Sequence, residues 1–166
     1  MRGDMGGAAC TLASVRTAAL LNLPVYIKAL IPLCENMPSG TAVKPGDVVK
    51  ALNGKTIQID DTDYEGRLIL ADALAYAQRQ YQPKFVMDMA TLTYDIIVAL
   101  GSSSTGVFTN SNVAWNLLHK SGYATGDRMW RMYSMPFYLC CPTLYYSIKF
   151  IGLGMPVFKH YRKAVG

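Results

Sequence analysis

The chain has 166 residues, 51% hydrophobic and 16% charged, with 16 basic against 11 acidic side chains for a net charge of +5. That length fits one domain, and so apolar a composition excludes intrinsic disorder, collagen and low-complexity arrays. A net charge signals an anionic partner only when its residues share one folded face, and here residues 1–127 hold ten basic and all eleven acidic residues while 128–166 hold six basic and none acidic. Nucleic acid is therefore not an expected partner. Cys10, Cys34, Cys140 and Cys141 show no framework spacing, which fits reduced thiols in the cytoplasm better than a disulfide scaffold. Met1 to Gly7 do not read as a signal peptide. Motif-like sequence is already present at the first residue, which raises an N-terminal truncation.

In chain order, residues 6–21 read as a helix, with Leu12, Val15, Ala18 and Ala19 at helical spacing and Gly6-Gly7 allowing close approach at its start. Pro24 opens an apolar run, Val25 to Leu30, that predicts a strand, and the Pro- and Gly-rich stretch 31–46 predicts a long loop. Val48-Val49 and Thr56 to Ile59 flank Asn53-Gly54, a hairpin signal. A helix follows from about Gly66 to Gln80, then a strand at Lys84 to Ala90, a short helix at Asp95 to Leu100, a strand at Thr105 to Thr109, and a helix at Asn112 to Ser121 begun by Ser111 as N-cap. Alternating helices and strands give an α/β fold with a mixed sheet flanked by helices.

The character changes after Arg131. From Met132 to Ile148 there is no charged residue. Residues 135–155 have about the length of 20 that a bilayer needs, but Pro136, Pro142 and Lys149 inside the run weigh against a membrane span.

The densest chemical signal is Asp60-Asp61-Thr62-Asp63-Tyr64-Glu65-Gly66-Arg67, between a predicted strand and a predicted helix. In extended backbone, residues two apart point the same way, so Asp63 and Glu65 are expected to converge. Converging carboxylates need a cation or a proton, and Arg67 can hold an anion in a bidentate fork. Carboxylate-led sites suit Mg²⁺, Mn²⁺ or Zn²⁺. The bland alternative, helix capping with a favourable dipole, leaves Arg67 without a role.

The stretches Arg2-Gly3-Asp4-Met5-Gly6-Gly7-Ala8, Lys44-Pro45-Gly46-Asp47-Val48-Val49, Asn53-Gly54-Lys55-Thr56, Asp61 to Leu68 and Ala90-Thr91-Leu92-Thr93 occur in the order of the leucyl (cytosol) aminopeptidase family, which this chain resembles over residues 1–132. The resemblance implies a zinc-exopeptidase-like catalytic domain, incomplete at both ends, that releases N-terminal residues from peptides by two-metal hydrolysis in a hexamer. It implies that Asp4, Asp63 and Glu65 are metal ligands, for Zn²⁺ or Mn²⁺ with Mg²⁺ as a third candidate. Arg67 is similar to the family's catalytic arginine that holds a bicarbonate, and Thr91, Leu92 and Tyr94 fall at substrate-binding positions. Two ions a few ångströms apart would activate water, polarise the scissile carbonyl and receive the substrate's free amine.

Departures from the family pattern accompany the matches. A G-K-G-x-T-x-D-S-G-G motif that supplies a lysine and an aspartate ligand upstream of Arg2 is not in these 166 residues. Asp61 stands for the family's asparagine, Tyr64 for a small residue and Tyr94 for a glycine. The expected form is therefore an incomplete or weakly active aminopeptidase, with a noncatalytic structural member of the same family, of the sperm type, as the alternative and a membrane-associated protein as a weaker one. After Trp130-Arg131-Met132 the family pattern resumes at Pro156, which divides the chain into a partial catalytic domain at 1–132, an atypical apolar insert at 133–155 resembling a translated intron, and a resumed segment at 156–166.

Overall fold

The computed structural model describes residues 2–132 and the strand at 147–151. In chain order the elements are α1 (Gly6–Leu20), β1 (Val48–Lys50), β2 (Thr56–Gln58), α2 (Glu65–Tyr81), β3 (Val86–Ala90), α3 (Asp95–Leu100), β4 (Thr105–Thr109), α4 (Asn112–Thr125), β5 (Met129–Arg131) and β6 (Ser147–Ile151). They fall into two compact units, one formed by residues 30–83 and the other by 2–29 with 84–132 and β6.

The first unit is built on a hairpin and one long helix. β1 and β2 pair antiparallel with Val49 opposite Ile57. Asn53-Gly54 closes them as a three-residue loop: the Gly54 amide donates to the Ala51 carbonyl at 2.8 Å and the Ala51 amide to the Lys55 carbonyl at 2.8 Å. Gly54 has φ +86, a conformation that a side chain would strain, which is why glycine ends this loop. Beyond the strands, the Ile59 amide donates to the Asp47 carbonyl at 2.8 Å, and Ile59 is buried. The Leu52 amide donates to Asp72 of α2 at 2.9 Å, which ties the hairpin to the helix.

The second unit holds a mixed four-stranded sheet in the order β3-β6-β4-β5. β3 runs parallel to β6, β6 antiparallel to β4, and β4 parallel to β5. Val107 of β4 is fully buried and packs with Ala114, Trp115 and Leu118 of α4 and Met129 of β5. Ser111 caps α4, accepting from the Ala114 amide at 3.2 Å. The helix runs past Ser121 to Thr125 because Gly122 does not break it: a methyl group there would overlap the Asp127 carbonyl, so the glycine permits close packing of the chain's return. Gly126 at φ +80 ends the helix instead.

Two departures from the sequence expectations concern strands. Residues 25–30 form no strand: Val25 and Tyr26 are 56% and 86% exposed, and no described strand lies beside them to complete a ladder. The segment follows a helix end in which Asn22, at φ 48, donates to Ala19 and Leu23 donates to Ala18. Conversely, β5 and β6 were not expected. β5 is held by the Thr105 amide on the Arg128 carbonyl and the Met132 amide on the Val107 carbonyl, each at 2.9 Å. β6 comes from the stretch read as an insert; residues 133–146 and 152–166, which carry the rest of that reading, the resumed segment and most of the candidate membrane span, lie outside the described residues.

Candidate functional site

In the first unit the acidic segment is a folded entry to α2. Asp61 is extended, and its carboxylate accepts from the Asp63 amide at 2.9 Å, turning the chain into a short 3-10 helix, Thr62–Tyr64. An asparagine oxygen would accept the same bond, so aspartate at this position keeps the cap. The Thr62 carbonyl in turn accepts from Asn36 at 2.9 Å, anchoring the long loop to this turn. The helical backbone corrects one sequence expectation: residues 63 and 65 are not in extended chain, so strand alternation does not aim Asp63 and Glu65 at one point.

Each predicted residue of this unit has a distinct setting. Asp63 is exposed. Glu65 opens α2, where a carboxylate interacts favourably with the helix dipole, and its Oε2 is buried. Arg67 is 6% exposed, and its guanidinium carbon lies 4.2 Å from the centre of the Tyr64 ring.

In the second unit Asp4 sits in a 3-10 turn, Gly3–Met5, that leads directly into α1. This turn is pinned to the end of β3. The Thr91 hydroxyl donates to the Gly3 carbonyl at 3.2 Å, a methyl group on Gly6 would come within 3.1 Å of the Thr91 Cγ2, and one on Gly7 would overlap the Met89 carbonyl. The glycines thus let α1 seat on β3, which places Asp4 beside the Thr91 loop. Leu92 is half-buried, and Tyr94, 73% exposed, stands just before α3. Asp88, at the middle of β3, is a buried carboxylate that the sequence reading passed over as part of an apolar strand; a lone aspartate in such a run was the available signal.

Asp63, Glu65 and Arg67 thus share the first unit, and Asp4, Thr91, Leu92 and Tyr94 the second. Among the described residues no three His, Cys, Asp or Glu side chains gather at metal-holding distance. The donor chemistry of Asp4, Asp63 and Glu65 is all oxygen, which fits hard or borderline divalent cations.

A mixed sheet with helices on it gives the second unit an α/β fold. The profile of the cytosol aminopeptidase family, catalytic domain, matches residues 1–139. The chain belongs to this family. It is 62% identical to the human cytosol aminopeptidase over 132 residues, which is 80% of this chain and 25% of that protein. Against the Xenopus tropicalis cytosol aminopeptidase it is 52% identical over 165 residues, covering 99% of this chain and 27% of that one. Among solved structures, a mutant tomato leucine aminopeptidase superposes with a TM-score of 0.72 at 40% identity, over 83% of this chain and 27% of that one. The bottromycin maturation enzyme BotP in complex with Mn gives 0.76 at 37%, over 82% and 30%. The chain spans about a quarter of the length of the curated relatives it matches.

Proposed function

We propose that the chain is part of a metal-dependent aminopeptidase that releases N-terminal residues from peptides, weakly active in these 166 residues. The observation that carries this reading is the family match over residues 1–139, within which the acidic motifs lie. Asp4, Asp63 and Glu65 would hold two divalent ions, Zn²⁺ or Mn²⁺ with Mg²⁺ as a third candidate; the Mn complex of BotP supports such use. When bound, an ion pair of this kind supplies Lewis-acid polarisation of the scissile carbonyl and a water nucleophile at neutral pH. Arg67, buried and always charged, would hold a planar anion such as bicarbonate, which would supply a proton carrier for the reacting water. Thr91 and Leu92 contact the peptide, and Tyr94 narrows the space for its first side chain. The names of the relatives favour the cytosol, and a hexamer is the assembly we propose.

The test is hydrolysis of leucine p-nitroanilide by the full chain with Mn²⁺ or Zn²⁺. The expected result is slow turnover that chelation removes and that acetylation of the substrate's amine abolishes. Turnover indifferent to both treatments contradicts it. Tyr64 and Tyr94, bulky where the family pattern has small residues, favour the second reading, a noncatalytic structural member. That reading predicts no turnover under any metal.

A further inference from the structure

Tyr64 and Arg67 lie three residues apart across the junction of the 3-10 turn and α2, a spacing that puts two side chains on one side of a helical segment. The Tyr64 side chain makes no capping hydrogen bond for α2. Its ring instead lies under the Arg67 guanidinium, centre to carbon 4.2 Å, well inside the ~6 Å reach of a cation–π contact. Arg67 is only 6% exposed and Tyr64 is half-buried. A charge so far withdrawn from water gains more from a π face than an exposed one does.

We propose that Tyr64 is the positioning residue for Arg67. The ring holds the guanidinium by the cation–π contact and restrains its direction, so that an anion meets the Arg67 N–H groups in one orientation. A flexible arginine would lose orientation at each encounter; a restrained one presents the same donors every time. The functional consequence rests on the aminopeptidase reading above, in which Arg67 holds the anion that moves the proton. Tyr64 acts on that step and not on peptide binding.

The experiment varies the ring at fixed shape: Tyr64→Phe, then increasingly fluorinated phenylalanines at position 64, with Tyr64→Leu as the aliphatic reference, all in the full chain. Modification of Arg67 by phenylglyoxal is followed by mass-spectrometric mapping, with exposed Arg79 of the same helix as internal standard. The expected result is wild-type protection in Tyr64→Phe and a graded rise in the Arg67 rate with fluorination, reaching roughly threefold to tenfold at the most fluorinated ring, while Arg79 is unchanged. An Arg67 rate that ignores fluorination overturns the proposal, and this holds even if Tyr64→Leu fails to fold. In Mn²⁺-dependent turnover, the same series is expected to lower kcat in step with lost protection and leave KM unchanged; a fall in protection with kcat constant overturns the functional half. Absence of turnover in every variant, wild type included, with protection still tracking the ring, counts against the aminopeptidase reading and leaves the positioning role standing.

Discussion

Gly7 lies in the first turn of α1 against the backbone of Met89, where a methyl group would overlap the carbonyl. Gly7→Ala therefore forces α1 off β3, and we predict a loss of about 1–3 kcal/mol in urea unfolding, the range for overpacking; because Asp4 precedes this helix, Mn²⁺ affinity is expected to fall with it. Asp47 offers a prediction in pH. Its carboxylate accepts from the Lys44 amide at 2.9 Å and from the Lys44 ammonium at 3.3 Å, and chiefly the backbone bond holds its pKa below the usual 3.8. A lowered folded value means stability that is present above about pH 3.8 and is lost as pH falls through the lowered value. Asp47→Asn should flatten the acid end of a urea-midpoint profile; an unchanged slope contradicts the assignment. At this scale the Asp61 cap is local and falls under the capping alternative that the sequence offered without naming the residue, whereas burial of Asp88 depends on distant chain and was not legible.

The elements were legible in sequence to the extent that their signals are local. Asn53-Gly54 announced its hairpin and Ser111 its helix, since a loop conformation and a cap are decided within a few residues. Ser111→Ala is expected to cost about 1 kcal/mol, read from the shift in thermal midpoint. Residues 25–30 have strand-like composition yet form none, because a strand exists only with a neighbour that composition cannot name. The same non-locality hid β6. It pairs on both sides, with Met87 and Thr109 each in register with Ile148, so Ile148→Pro removes a donor from an interior strand and should cost about 3 kcal/mol. Hydrogen exchange offers a second view: amides of 147–151 are expected to be protected to the level of β3 and β4. Fast exchange there, or an unfolding midpoint unmoved by Ile148→Pro, contradicts the sheet order. We further propose that residues 133–155 are a translated intron inserted in the family domain, which sequencing of the mature transcript tests directly: a message that carries them in full, with a matching protein, overturns it.

For the whole molecule, the +5 that first suggests an anionic partner resolves into an acidic segment before α2 and a basic stretch after residue 127. Large apolar side chains stand exposed among the described residues, for example Leu12 and Leu20 of α1, Leu33 of the long loop, Val98 of α3 and Tyr123 of α4. Surfaces of this kind associate, so the 166-residue chain alone is expected to scatter light and elute as large species. The sequence disclosed the family. That Asp4 and the acidic segment fall in different units was not legible, because the division rests on contacts between distant parts of the chain. The most direct test of the central claim, that these carboxylates hold divalent ions for peptide hydrolysis, is Mn²⁺ binding followed by electron paramagnetic resonance in the wild-type chain and in Glu65→Ala. Saturable binding weakened at least about tenfold by the substitution, a loss that even an outer-sphere partner can cause, is the predicted result. Binding of equal strength in both chains, or none in the wild type, would contradict the account.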